Sequence, residues 1–259
     1  MLDDIIKAYN EAVFETDKES ALAVVDDALA RGISAEDVVF KVVIPAVEEM
    51  MAEITKDPDA NLAQHFMTAQ IASEVTERML AKFQHPPQIL GRVVIGTAFG
   101  DLHSLGKRIV SGCLRALMVD VEDVGVNVPA ARFVDAAMTR DAQVIAISTM
   151  MVHTATGEHG CREVRRILKE RGVEHRFRIA VGGAPYRFDG ELYKTVGADA
   201  WAPDGVTAAR VIIDLIREVK SGTDCRAASK AVPANNPEPR SGEPSSPSPL
   251  GRGMGGGQL

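Results

Sequence analysis

Asp101, His103 and Gly106 stand in the run Gly100-Asp-Leu-His-Ser-Leu-Gly-Lys107, where residue types and spacing suit metal chemistry. A neutral imidazole is a good ligand for a transition metal near neutral pH. A carboxylate two residues away can accept the proton of the second ring nitrogen, which fixes the tautomer and the ring orientation. Glycine at 106 lets the backbone pass close to a bound group. The plainer alternative is a histidine at a helix entry, with Asp101 as the helix cap.

The surrounding elements favour a ligand site. The run follows an apolar segment, residues 93–98, and precedes a helix-like segment, residues 107–117. Further strand-like runs at 119–124, 144–148, 179–181 and 198–202 alternate with helical segments. The first and third runs are continuously apolar, as strands buried on both faces must be. The second alternates with acids, as an edge strand would. This pattern predicts a five-stranded, doubly wound parallel α/β domain over residues 90–221. Open sheets of this kind bind ligands beyond the C-terminal ends of their strands. Three more features fall at such ends: Ser148-Thr-Met150, Gly182-Gly183 and Ala202-Pro203-Asp204. Singly each is weak, since a strand-end serine often caps a helix and paired glycines are common.

Residues 1–86 read as helical. Thr16 and Glu19 have the spacing of a capping box, Gly32 closes that helix, and Ser34 opens the next. Val38, Val39, Val42 and Val43 form an apolar stripe that Pro45 interrupts, which predicts a kink or restart. Asp57-Pro58-Asp59 reads as a turn before a last helix over residues 60–83. Four helices with short connections predict an antiparallel bundle. His85-Pro86-Pro87 ends it, because proline pushes the preceding residue out of the helical region. Residues 222–259 are rich in Gly, Pro and Ser and read as a disordered tail.

Composition excludes several classes. The net charge of −7 comes with no dense Lys/Arg cluster, so nucleic acid is not an expected partner. There is no 18-residue apolar stretch to span a membrane. Two acids near the N-terminus stand where a secretory signal carries basic residues. Cys113, Cys161 and Cys225 are too far apart for a zinc site and too few for a disulfide framework. A cytoplasmic location is the expectation.

With Asp101-x-His103-x-x-Gly106, then Ser148-x-Met150, then Gly182-Gly183, the segment 90–220 resembles the cobalamin-binding domain of corrinoid methyltransferases and B12-dependent mutases. Val124-Gly-Val-Asn-Val-Pro129 resembles the same family's stretch after its second strand. The helical bundle is similar to the cap of methyl-carrying corrinoid proteins. Met150 departs from the family's usual Leu, and residues 60–67 depart from its usual cap pattern.

The resemblance implies cobalamin bound base-off/His-on, with His103 as the lower axial ligand of cobalt and Asp101 orienting it. Thr154 would add a hydroxyl to that relay. Gly106, Ser148, Met150, Gly182, Gly183 and Asp204 would line the slot for the cofactor tail. It further implies a methyl carrier, shuttling a methyl group on cobalt between partner methyltransferases. One partner would hold the methyl donor and another a thiol or tetrahydrofolate acceptor, with a reductive activator as a third protein. A B12-based light or redox sensor, with His65 as an upper ligand, and a mutase small subunit are the alternatives.

Overall fold

In the computed structural model, residues 2–56, 62–85 and 87–222 are described. The turn expected at 57–59 and the tail expected beyond residue 222 lie outside them.

The N-terminal helices are α1 (Leu2–Phe14), α2 (Lys18–Ala30), α3 (Ala35–Val38), α4 (Ile44–Lys56) and α5 (Leu62–Leu80). The capping box expected from Thr16 is displaced by one residue. Asp17 is the cap of α2, accepting from the Ser20 N–H (3.0 Å) and hydroxyl (2.6 Å), and Thr16 takes a left-handed φ of 61°. A carboxylate at a helix N-terminus adds favourable charge to the capping bond. Ser34 caps α3 as expected, accepting from the Asp37 N–H at 3.0 Å.

The interruption at Pro45 takes the form of a π-helical turn, Val39–Val43, that joins α3 to α4 without a break. The Ile44 N–H bonds to the Val39 carbonyl, five residues back. Proline has no N–H and its ring crowds the carbonyl four residues earlier, so a widened turn accommodates it while the valine stripe stays buried.

The second half alternates β1 (Gly91–Thr97), α6 (Leu105–Ala116), β2 (Val119–Asp123), α7 (Ala130–Arg140), β3 (Val144–Ser148), α8 (Val152–Thr156), α9 (Cys161–Glu170), β4 (Arg178–Gly182), α10 (Ala184–Phe188), α11 (Leu192–Thr195), β5 (Ala200–Ala202) and α12 (Gly205–Ser221). All five strands pair in parallel in the order β2-β1-β3-β4-β5. β2 is an edge strand, and its acids pair with basic side chains: Asp120 with Arg140 at 2.9 Å and Asp123 with Lys107.

Successive residues of a strand point to opposite faces, and here both faces are covered. Val93 and Ile95 of β1 join one core with α6, α12 and the helical bundle. Val94 joins a second core with α7, α9, α10 and α11. The bundle therefore shares one continuous core with the sheet rather than resting on it. The closest seam is between α5 and α6, where a Cβ at Gly112 would lie 2.9 Å from the Ala69 carbonyl oxygen.

This strand order has its switch point between β1 and β3, where the chain leaves in opposite directions to α6 and α8. The loops after β1 and β3 flank that crevice. Among the described residues, no helix is long and apolar enough to cross a membrane.

Candidate cofactor-binding site

The loop after β1 turns at Gly100, with φ at +82°, and carries Asp101 and His103 to the mouth of the crevice. The Asp101 side chain is fully buried, whereas that of His103 is 58% exposed. Asp101 Oδ1 accepts from the His103 N–H (3.0 Å) and stands 2.7 Å from His103 Nδ1. Oδ2 accepts from the Met150 N–H (2.6 Å) and the Met151 N–H (3.3 Å) in the loop after β3. Burial alone would raise the Asp101 carboxyl. The bonds from Met150, His103 and Met151 outweigh it and bring the group from 3.8 down to about 2.

An ionised Asp101 accepts and cannot donate, so the proton of a neutral His103 sits on Nδ1. Nε2 is then a lone-pair nitrogen on an exposed ring, which is the state a metal requires.

Thr154, on α8, completes the cluster. Its Oγ1 lies 3.2 Å from Asp101 Oδ2 and 2.8 Å from the Met151 carbonyl. One hydroxyl proton serves one of these at a time, and the shorter contact favours Met151. Ser148 ends β3, in register with Thr97 on one side and Gly182 on the other. It caps no helix, since α8 begins only after Met151. Met150 is half exposed beside Asp101.

The glycines divide into two roles. A Cβ at Gly106 would meet nothing within 4 Å, and one at Gly182 would approach only the Ala202 carbonyl, at 4.0 Å. Open space lies beside both. Gly183, with φ at +125°, is required by its own packing: a Cβ there would stand 1.6 Å from the Thr149 carbonyl oxygen. Asp204 caps α12, accepting from the Val206 (2.9 Å) and Thr207 (2.8 Å) N–H groups through Oδ1 and from the Thr207 hydroxyl (2.8 Å) through Oδ2. That helix start abuts Gly106, whose carbonyl oxygen would lie 3.4 Å from a Cβ at Gly205. His65 is half buried on α5, and His159 meets Phe99 edge to face at 5.9 Å.

Two kinds of residue escaped the sequence reading. The first is an apolar rim: Phe99, Leu102, Leu105, Met151 and Val152 are all exposed around the crevice with Met150. Leu102 and Leu105 flank the histidine, so apolar residues inside a polar loop were the available signal. The second is a set of braces. The Thr97 hydroxyl donates to the His103 carbonyl (2.9 Å), and Asn127 holds the Gly100 N–H (2.8 Å) through its side chain. Lys107, buried on α6, pairs with Asp123.

The donor set tests what group fits. Among the described residues, no cluster of three or more His, Cys, Asp or Glu could hold a bare metal ion. A single accessible imidazole fits a metal that brings its remaining ligands with it. An apolar rim fits a large, mostly apolar macrocycle around that metal. One exposed imidazole at the switch point of a doubly wound parallel sheet is an arrangement that fits such a group.

Comparison with known proteins is specific. Residues 91–213 match the B12 binding domain. The chain is 31% identical over 218 residues to trimethylamine corrinoid protein 1 of Methanosarcina acetivorans, covering 82% of this chain and 98% of that protein. It is 30% identical over 230 residues to dimethylamine corrinoid protein 2 of Methanosarcina mazei, covering 83% of this chain and 98% of that one. A solved methanol:cobalamin methyltransferase complex from Methanosarcina barkeri shares the fold, with a TM-score of 0.69 at 22% identity over 83% of this chain and 80% of that chain. The chain belongs to the family of the methylamine corrinoid proteins, and its cofactor is cobalamin.

Proposed function

We propose that this protein is a methyl carrier that holds cobalamin base-off, with His103 as the lower axial ligand of cobalt. The observation that carries the reading is the Asp101–His103 pair: a buried, ionised carboxylate 2.7 Å from Nδ1 of an exposed imidazole. Bound cobalamin supplies a cobalt centre that accepts a methyl group from one protein and yields it to another.

The chain's own residues supply position and electrostatics. Asp101 keeps the His103 proton on Nδ1 and makes the ring a better donor through Nε2. The Met150, His103 and Met151 N–H groups keep Asp101 ionised and fixed in place, with the Thr154 hydroxyl packed beside them. The space beside Gly106, Gly182 and Ser148 takes the cofactor tail, and Gly183 lets the fourth strand turn tightly enough to leave it open. Asp204 acts on that slot indirectly, by fixing the start of α12 against Gly106.

Donor and acceptor chemistry belong to partner methyltransferases, in keeping with the similarity to methylamine corrinoid proteins and to the methanol:cobalamin methyltransferase complex. A reductive activator, which would restore cobalt after stray oxidation, completes the set. The names of the relatives make a methylated amine the donor to assay first. The residue boundaries 1–86 for the cap and 90–221 for the cofactor domain go with this reading.

The test is direct. The purified chain, loaded with cobalamin, is expected to show the visible spectrum of histidine-ligated, base-off cofactor. His103→Ala is expected to lose that signature. A wild-type spectrum that retains benzimidazole ligation refutes the reading.

A further inference from the structure

Neither Thr97 nor Asn127 belongs to the Asp-x-His-x-x-Gly run, yet both grip it. Thr97 is the last residue of β1 and fully buried. Its backbone is already fixed to the loop after β2, with its N–H on the Gly125 carbonyl (3.0 Å) and its carbonyl on the Val128 N–H (3.0 Å). Its hydroxyl is therefore presented from a rigid point, and it donates to the main-chain carbonyl of His103 at 2.9 Å.

Asn127 acts from the loop after β2. Its Oδ1 accepts from the Gly100 N–H (2.8 Å), and its own N–H donates to the Asp101 carbonyl (2.9 Å). Asn127 has φ at 54° and faces Gly100 at 82°, so two left-handed residues lock against each other. Asparagine is among the few residues that adopt this conformation readily. The loop's start is held by Asn127, its middle by Thr97, and its exit by the pairing of the buried Lys107 with Asp123.

We propose that Thr97 and Asn127 are positioning residues for His103: they fix the main chain on which the imidazole is mounted, so that its Nε2 meets the metal without a search among loop conformations. The inference rests on His103 being the axial ligand. Asp101 orients the ring and holds the His103 N–H, but where the loop's main chain stands also depends on the His103 carbonyl and the Gly100 N–H. That position is set from the ends of two neighbouring strands. A ligand atom must be held to within about half an ångström of its working geometry, and rigid supporting residues provide that.

The test is a double-mutant cycle on cobalamin affinity with the full chain. Thr97→Val keeps the volume and removes the hydroxyl, and Thr97→Ser keeps the hydroxyl. Thr97→Val is expected to weaken cobalamin binding about 3- to 10-fold, the range for one lost net hydrogen bond. Thr97→Ser is expected to restore most of it. Asn127→Gly, which keeps the left-handed backbone but lacks the acceptor, is expected to weaken binding in the same direction, and Asn127→Asp to retain it.

The decisive arm places Thr97→Val in the His103→Ala background, where there is no ligand left to position. There it is expected to cause no further loss, because coupled residues are non-additive. An equal loss with and without His103 would show that Thr97 serves the fold alone and overturn the proposal. So would an unchanged affinity in Thr97→Val itself. If His103→Ala leaves both affinity and visible spectrum unchanged, the axial-ligand reading fails first and the proposal falls with it. Thermal melting of the cobalamin-free variants separates a poorly folded chain from a folded chain with a misplaced ligand.

Discussion

Asp101→Asn changes one atom and sets two demands against each other. In the wild type, both carboxylate oxygens accept: Oδ1 from the His103 N–H and ring, Oδ2 from the Met150 and Met151 N–H groups. An amide has one accepting end and one donating end. If its NH2 faces Met150 and Met151, two backbone donors lose their acceptor, and each buried donor left unpaired costs about 1–3 kcal/mol. If its NH2 faces His103, the ring must accept at Nδ1, so its proton moves to Nε2, the nitrogen meant for the metal. Neither orientation preserves both stability and ligation.

The depression of the Asp101 carboxyl from 3.8 to about 2 corresponds to roughly 2 kcal/mol in favour of its ionised form. A group whose carboxyl is lowered on folding stabilises the fold above its unfolded value and loses that contribution as pH falls through the folded one. Denaturant unfolding of the cobalamin-free protein at pH 7 is therefore expected to show Asp101→Asn destabilised by about 2 kcal/mol. The wild type is expected to lose that advantage between pH 4 and pH 2, a fall the variant lacks. In the loaded protein, cobalamin affinity is expected to drop roughly 10- to 100-fold. If Asp101→Asn matches the wild type in unfolding, affinity and visible spectrum, the orienting role of Asp101 is wrong.

Three further outcomes test the packing. Gly106→Ala adds a methyl group into open space in the first turn of α6, so the cobalamin-free protein is expected to melt no lower than the wild type, while isothermal titration shows weaker cobalamin binding. Gly112→Val drives a side chain into Ala69 across the α5–α6 seam and is expected to cost about 1–3 kcal/mol in a single unfolding transition. A second transition would show that bundle and sheet unfold separately, against the shared core. Burial pushes the Cys113 and Cys161 thiols up to about 12, so at pH 8 both are expected to resist alkylation until the chain is unfolded, as mass spectrometry would show.

Much of this molecule could be read from local pattern. Strand positions followed from short apolar runs, and the assignment of β2 to an edge followed from its alternating acids. The π-turn followed from Pro45 in outline, because a missing N–H is a property of one residue. Even the Asp101–His103 contact was legible, since a single residue separates its partners. The cap of α2 was misplaced by one residue because Thr16 and Asp17 both fit the pattern, and the backbone of Thr16 decided between them.

What the sequence by itself determined is therefore the set of elements, the strand ends that carry polar groups, and the pair at positions 101 and 103. What only the tertiary structure decided is who holds that pair. Parallel pairing of β1 with β3 sets Thr97 beside Ser148 and so brings the Met150 N–H to Asp101 across 49 positions of sequence. The same assembly commits Asp204 to a helix cap, buries Lys107 against Asp123, and welds α5 to α6 at Gly112. Periodicity records which face of an element is apolar. It does not record the register in which two elements meet, and a hydrogen bond depends on register to a fraction of an ångström.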